Sequence, residues 1–482
     1  MVKKIGVLCH VSSLESKYGV GDFGKSAFEF IDFLSDNNIN IWQILPLNKT
    51  NIYNCPYASM CYFSIDEMFL DVDEFLDKKF IDKSDLALLK DASRSKKVNY
   101  SIVKQEKIKL FKKAYLKITK NELKDINNYL KKHPEIYDYA IFLELISQFN
   151  CSWQNLPKCY LNKGSKEYIQ FEMDNKNQIM YHVFVQYILF NQWQKVMAYA
   201  KSKNVQILGD LPIYPSPDSF DVYNNRNKFK INQITYKPLV YGGVPGDQFN
   251  PNGQNWGTCV YNWQNLEKES YKFLIDKIIS TKKYYDILRI DHFLGYVYHY
   301  EISATGGKNK WCEDGGDEFF NELKKHISFN SIVVEDLGLN VKQANDLIEK
   351  FSLRGMSVLQ MAMGENIKFL PQNVNKNTIY YLGTHDNNTY LGYINGLSNK
   401  ERKELCKLLD IDFTTNVDLC LKSMKKMLES KANMVVFQIQ DLLLQNQNYR
   451  MNVPGRAEDC WEYKLPKKYK NKAKKTLNQL IN

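Results

Sequence analysis

Four acidic side chains, Asp210, Asp291, Glu335 and Asp386, each stand where a short apolar run breaks off. The plainest case is Ile287-Leu288-Arg289-Ile290-Asp291-His292-Phe293, an apolar run that ends in a guanidinium, a carboxylate and an imidazole. Singly, an acid after a strand is as ordinary as a helix cap. Four at matching strand ends are different, because a closed barrel brings those ends around one pocket. Clustered acids have two broad uses: holding a divalent cation, or acting directly on an acetal. Acetal chemistry explains more of the residues. It needs an acid to protonate the leaving oxygen and a carboxylate to meet the oxocarbenium-like carbon, and retaining enzymes keep this pair only about 5–5.5 Å apart. Arg289, two residues before Asp291, points to the same strand face and is expected to hold that carboxylate ionised, as a nucleophile requires. Glu335 sits beside Asp336, and like charge with partial burial is expected to raise its pKa for the acid role. His292 and His385 follow strands beside acids and either bond sugar hydroxyls or line the pocket.

The elements that must position these groups are legible in the apolar periodicity. Eight runs read as strands: Ile5–His10, Ile41–Leu45, Val205–Leu208, Ile287–Asp291, Ile332–Val334, Ser357–Met363, Ile379–Leu382 and Met434–Ile439. Helical spacing follows most of them. Phe23, Ala27, Phe30, Ile31 and Leu34 mark the first helix, with Asp22 placed to cap it. Eight strands alternating with helices predict an α/β fold, a (β/α)8 TIM barrel, against the competing doubly wound open sheet. Two long stretches interrupt the alternation. About 48–176 carries polar helical segments and reads as an inserted helical subdomain after strand 2. About 211–262, rich in Pro, Gly, Asn and Tyr, reads as a second, irregular insertion after strand 3. Residues 1–482 are then one catalytic barrel with both insertions on the same side of the strands.

Composition narrows the partners. The chain has 482 residues and a formal charge of +11. Lysines are spread along polar helix faces, with the densest run, Lys467 to Lys475, near the C-terminus, so solvated surface is a better account than a nucleic-acid partner. The N-terminal apolar stretch is too short for a signal peptide, and no run approaches membrane-spanning length. Ten scattered cysteines form no C-x-x-C pair and no His/Cys cluster at metal-ligand spacing. They read as free thiols in a reducing cytoplasm, and nothing demands a metal or another cofactor.

A series of motifs then carries a resemblance. In order they are GVLCHVSSL with YGVGDFG (from Gly6), WQILPL (from Trp42), PYASMCYF (from Pro56), GDLPIY (from Gly209), GVPGDQF with GQNWG (from Gly243), RIDHF (from Arg289), VEDLG (from Val334), GMSVLQ (from Gly355), GTHDNNT (from Gly383) and RMNVPG (from Arg450). Over nearly the whole chain this resembles the 4-α-glucanotransferases of the amylomaltase or disproportionating-enzyme type, glycoside hydrolase family 77 in the α-amylase clan. The resemblance implies a retaining double displacement with Asp291 as nucleophile, Glu335 as acid/base and Asp386 as transition-state stabiliser. It implies substrate-binding roles for Arg289, His385 and Asp210, and sugar stacking by Tyr57. It implies glucan contacts from Asp247, Phe249 and Trp256 on a loop covering the acceptor side. Maltooligosaccharides and other α-1,4-glucans would be the partners, with no metal or organic cofactor.

The departures from that family pattern are Leu294 for Arg, Gln248 for Tyr, Thr258 for Asn, Gln372 for His, and Asp459-Cys460 for Gly-Asn before Trp461. They bear on the acceptor and on the ratio of transfer to hydrolysis, and they spare the three acids. The rival readings are a hydrolase on the same scaffold and a non-catalytic glucan-binding protein, the latter opposed by the intact acids.

Overall fold

The computed structural model describes residues 3–246, 253–337, 342–363 and 366–481. Eight strands form one parallel sheet: β1 (Lys4–Leu8), β2 (Ile41–Gln43), β3 (Gln206–Leu211), β4 (Ile287–Ile290), β5 (Ile332–Val334), β6 (Gly355–Val358), β7 (Thr378–Tyr381) and β8 (Met434–Gln438). They pair in chain order, with β8 beside β1. The two remaining edges meet where the Val334 amide donates to the Arg354 carbonyl at 2.8 Å, within a parallel bridge between Val333 and Arg354. The sheet is thereby closed, as the (β/α)8 reading requires. Its strands are apolar and almost wholly buried because helices cover the outside and side chains fill the inside. Among the described residues no helix is long and apolar enough to cross a membrane.

Local chemistry explains where the elements differ from the sequence reading. β3 does not stop at Leu208 but continues through Gly209 and Asp210 to Leu211. Gly209 is no strand breaker here. A Cβ at that position would lie 2.2 Å from the Tyr285 ring, so glycine lets the ring lie directly on the strand. The helix after β1 spans Lys25–Asp36 with Gly24 as its cap, while Asp22 accepts the Gly24 amide at 3.1 Å. β6 is followed, among the described residues, only by 3-10 turns before β7.

Between β2 and β3 the chain forms helices at Val72–Asp77, Ala87–Ala92, Tyr100–Tyr115, Lys120–Lys132, Glu135–Phe149 and Lys166–Asp174, then the long helix Lys176–Ser202 returns to β3. This layer is stitched to the barrel by Lys107, whose fully buried ammonium donates to the carbonyls of Met68 and Leu70 at 2.6 and 2.9 Å and lies 3.7 Å from Asp22.

The stretch 211–262 is less irregular than its composition implies. Val240–Val244 and Gln254–Cys259 are strands, and with Tyr298–Ser303 and Lys310–Glu313 they make a four-stranded antiparallel sheet. The partner of Val240 is Ser303, beyond β4, so no local periodicity announces this sheet. Its stabilising pairs lie across strands distant in sequence.

Candidate active site

The pleat of the barrel sets the site. Register places Asp210 of β3 directly opposite Arg289 of β4, and Arg289 opposite Val333 of β5. Two residues on, with the same facing, come Asp291 and Glu335. Arg289 therefore projects among three carboxylates. Its Nη1 donates to Asp210 Oδ2 at 2.6 Å and to Asp291 Oδ1 at 3.0 Å, and its Nη2 to Glu335 Oε2 at 2.9 Å. Asp210 and Arg289 have side chains 0% and 3% exposed, against 20% for both Asp291 and Glu335. The first two therefore stand behind the site as supports. The last two face the opening.

One expectation is corrected by this geometry. The reading in which Arg289 holds Asp291 ionised while Glu335 is raised is reversed: Asp291 is raised and Glu335 lowered, because Arg289 is shared among three acids and Asp336 is not the like charge felt most by Glu335. Asp336 turns away and accepts the Met356 amide at 2.7 Å, holding the start of β6. Glu335 Oε2 accepts a second donor, the His292 amide at 2.8 Å, whereas Asp291 must share Nη1 with Asp210. Burial, helped by Glu335 and Asp210, outweighs Arg289 and pushes the Asp291 carboxyl well above the usual carboxylate range. Burial also acts on Glu335, but Arg289, His292 and the His292 amide overcome it and hold its pKa below the usual range. The two carboxyls sit on the two terminal nitrogens of the same guanidinium, so the charge of each is felt by the other. They titrate as one pair holding one proton, and in the free site that proton sits on Asp291.

Asp386 approaches from the loop after β7. Its Oδ1 accepts Asn452 Nδ2 at 2.6 Å, its main-chain oxygen accepts Arg450 Nη2 at 2.8 Å, and His385 Nε2 lies 3.4 Å from Oδ2. Desolvation opposes its charge, but His385, Asn452 and Arg289 prevail and bring its pKa down to about 2. Asn452 and Arg450 are functional residues to which sequence reasoning attached no role, although the RMNVPG motif contains both. Tyr57 comes from the insertion after β2 and donates to Asp210 Oδ2 at 2.6 Å. One face of its ring is stacked on His385, with centroids 4.7 Å apart and planes 13° apart, and Trp461 completes the cluster at 5.9 Å.

On the opposite side, the half-buried Trp256 meets His292 edge to face at 4.8 Å. His292 adopts a left-handed backbone, φ 46°, which aims its amide at Glu335. Burial, the largest influence, lowers its pKa, against the pull of Glu335. Asp247 and Phe249, with Gln248, lie outside the described residues. Of the departures, Leu294 is buried in a 3-10 turn after β4, Thr258 is buried within the Gln254–Cys259 strand of the accessory sheet, and Cys460 is packed against the main chain at Val453, Arg456 and Glu458. None touches an acid.

A closed β/α barrel presenting Asp291, Glu335 and Asp386 at one end, around a single buried guanidinium, defines a carboxylate-dependent barrel enzyme of the acetal-cleaving class. A family model described as 4-alpha-glucanotransferase matches residues 9–470, and the chain belongs to that family. It is 34% identical over 478 residues to a 4-alpha-glucanotransferase of Aquifex aeolicus, covering 97% of this chain and 96% of the relative. It is 33% identical over 463 residues to one of Clostridium butyricum, covering 94% and 95%. Among solved structures, the amylomaltase from Streptococcus agalactiae in complex with acarbose superposes with a TM-score of 0.93 at 27% identity, covering 100% of this chain and 99% of that one.

Proposed function

We propose that the chain acts as a 4-α-glucanotransferase that moves α-1,4-glucan segments between maltodextrins through a covalent glycosyl-enzyme. The observation that carries the reading is the Asp291–Glu335 pair on one guanidinium, with Asp386 held ionised nearby. Carboxyls held on one guanidinium, at 3.0 and 2.9 Å, suit the close pair of a retaining enzyme better than the roughly 6.5–9.5 Å that inverting enzymes keep for a water. Asp291 is the nucleophile and Glu335 the acid/base. Binding of a glycosidic oxygen against Glu335 gives its protonated form a partner, and the shared proton passes from Asp291 to Glu335. Asp291, now ionised, attacks the anomeric carbon while Glu335 protonates the departing sugar. Glu335 then takes the proton of the incoming 4-hydroxyl, restoring an α-linkage. Asp386 grips ring hydroxyls in the oxocarbenium-like state. Asp210, with Arg450 and Asn452, positions the charged groups. Tyr57 and His385 form one wall of the sugar pocket and Trp256 with His292 the other. Asp247 and Phe249 contact glucan on the acceptor side. Ten free cysteines support a reducing, cytoplasmic setting.

Incubation with maltotriose tests the acceptor. Glucose together with a ladder of chains longer than the substrate is expected on chromatography. A product set containing only shorter sugars would make the protein a hydrolase, and no products at all would make it a glucan-binding protein.

The shared proton also predicts a pH profile. Turnover needs the pair singly protonated. Its second proton is taken up only in acid, because Glu335 is held low, and its one proton is lost only well above the aspartate range, because Asp291 is held high. Asp386, at about 2, adds no limb. The kcat/KM profile is expected to be a broad bell, its acid limb below the ordinary range of a glutamate and its alkaline limb well above that of an aspartate. A narrow bell confined to pH 4–5 would contradict the shared-proton description.

A further inference from the structure

The accessory sheet carries a second cluster of chemically active side chains. In the hairpin Tyr298–Ser303 with Lys310–Glu313, His299 stands directly opposite Cys312 and Glu301 opposite Lys310. Alternation along each strand puts His299, Glu301 and Cys312 on the same face, with Asp314 one step beyond. His299 Nε2 is 3.1 Å from Glu301 Oε1, and one ligand atom from each of His299, Glu301 and Cys312 lies within 4.8 Å of the others. The other imidazole nitrogen, Nδ1, is hydrogen-bonded to Asp314. His299 and Glu301 are 1% and 4% exposed, while Cys312 is partly open to solvent. The Tyr214 hydroxyl is buried without a hydrogen-bond partner, close enough to Asp314, Glu301 and Cys312 to feel their charge.

We propose that His299, Glu301 and Cys312 form a binding site for a zinc-class divalent transition metal, separate from the three acids. Imidazole, carboxylate and thiolate together are the donor set such ions take, at about 2.0–2.3 Å per ligand, with water in a fourth position. Three donors on one tetrahedral ion stand roughly 3.3–3.8 Å apart, so modest side-chain rotation closes the cluster. A carboxylate on the far nitrogen of the ligating imidazole, here Asp314, is the usual outer partner that selects the tautomer. On binding, Cys312 loses its thiol proton and His299 its Nε2 proton to solvent, and His299 keeps the Nδ1 proton toward Asp314. Lys230, which pairs with Glu301 and whose side chain is 31% exposed, swings out to water. The ion would pin the hairpin on which Val240–Val244 is paired. That strand in turn holds Gln254–Cys259 and the Trp256 that meets His292.

The test needs no turnover measurement and is independent of the catalytic assignment. Full-length protein stripped with chelator is titrated with Co2+ alone. One equivalent is expected to bind with a thiolate-to-cobalt charge-transfer band in the near ultraviolet, and Zn2+ to abolish that band by displacement. Cys312→Ser is expected to lose the band, whereas Cys151→Ser, on the insertion after β2, keeps it. Asp314→Asn is expected to weaken Zn2+ binding 10–100-fold. No thiolate band in the wild-type protein, or a band that survives Cys312→Ser, overturns the proposal.

Discussion

Asp291→Asn is expected to lower kcat on maltotriose by about 10⁴-fold or more, a loss of roughly 5 kcal/mol at 1.36 kcal/mol per decade. KM should change little. Asparagine has the shape of aspartate and keeps an oxygen for Arg289, which approaches Asp291 Oδ1 at 3.0 Å, but its amide cannot form the glycosyl-enzyme. The change therefore acts on the transition state rather than on binding. Azide separates the roles of the two acids when an α-maltosyl fluoride is the donor. With Asp291→Gly, azide enters from the face the carboxylate has vacated and the expected product is the β-glycosyl azide. With Glu335→Ala, the glycosyl-enzyme still forms, azide enters from the acceptor face, and the product is the α-glycosyl azide. The opposite pairing of variants and anomers would exchange the two assignments. Wild-type-like turnover in Asp291→Asn would dismiss the nucleophile altogether.

Arg289→Met is expected to be the most damaging single change to both stability and activity. Arg289 is buried and is the shared cation of Asp210, Asp291 and Glu335. Removing one partner of a buried ion pair costs about 3–5 kcal/mol, because the charge left behind is uncompensated. Here three acids would be left. Arg289→Lys keeps the charge but has one nitrogen in place of a fork, so part of the stability is expected to return and little of the activity.

The sign of the pH dependence follows from the carboxyls. In the wild-type protein Glu335 is held low, so its contribution to stability is full above its unfolded pKa and is lost as pH falls. Without Arg289 the folded pKa of Glu335 rises above its unfolded value, and that of Asp291, already raised, rises further. The folded variant then binds more protons than the unfolded chain, and its stability falls as pH rises through the new values. The deficit against wild type should be small near pH 4 and largest near pH 8. Urea unfolding of both proteins across that range measures it, and a deficit independent of pH would show that Arg289 stabilises by packing alone.

The acids were legible because strand ends and i, i+2 facing are local properties. An apolar run of three to five residues followed by Asp or Glu needs no partner to be recognised, and eight such runs with helices between them prescribe a closed barrel. The side of Arg289 that meets Asp291 is likewise written into their i, i+2 spacing. Tertiary structure alone decided which carboxyls share that guanidinium, because register between strands is set by pairing between residues far apart, as in Asp210 with Arg289. The same reason hid Asn452 on Asp386, across 66 positions, and the hairpin face that gathers His299, Glu301 and Cys312. The proton's place followed from it too. Sequence assigns Asp336 as the like-charged neighbour of Glu335 because it is next in the chain, whereas the fold turns Asp336 toward β6 and puts Asp291 within reach instead. Residue types prescribed the chemistry of this site, and long-range register decided how its charges are shared.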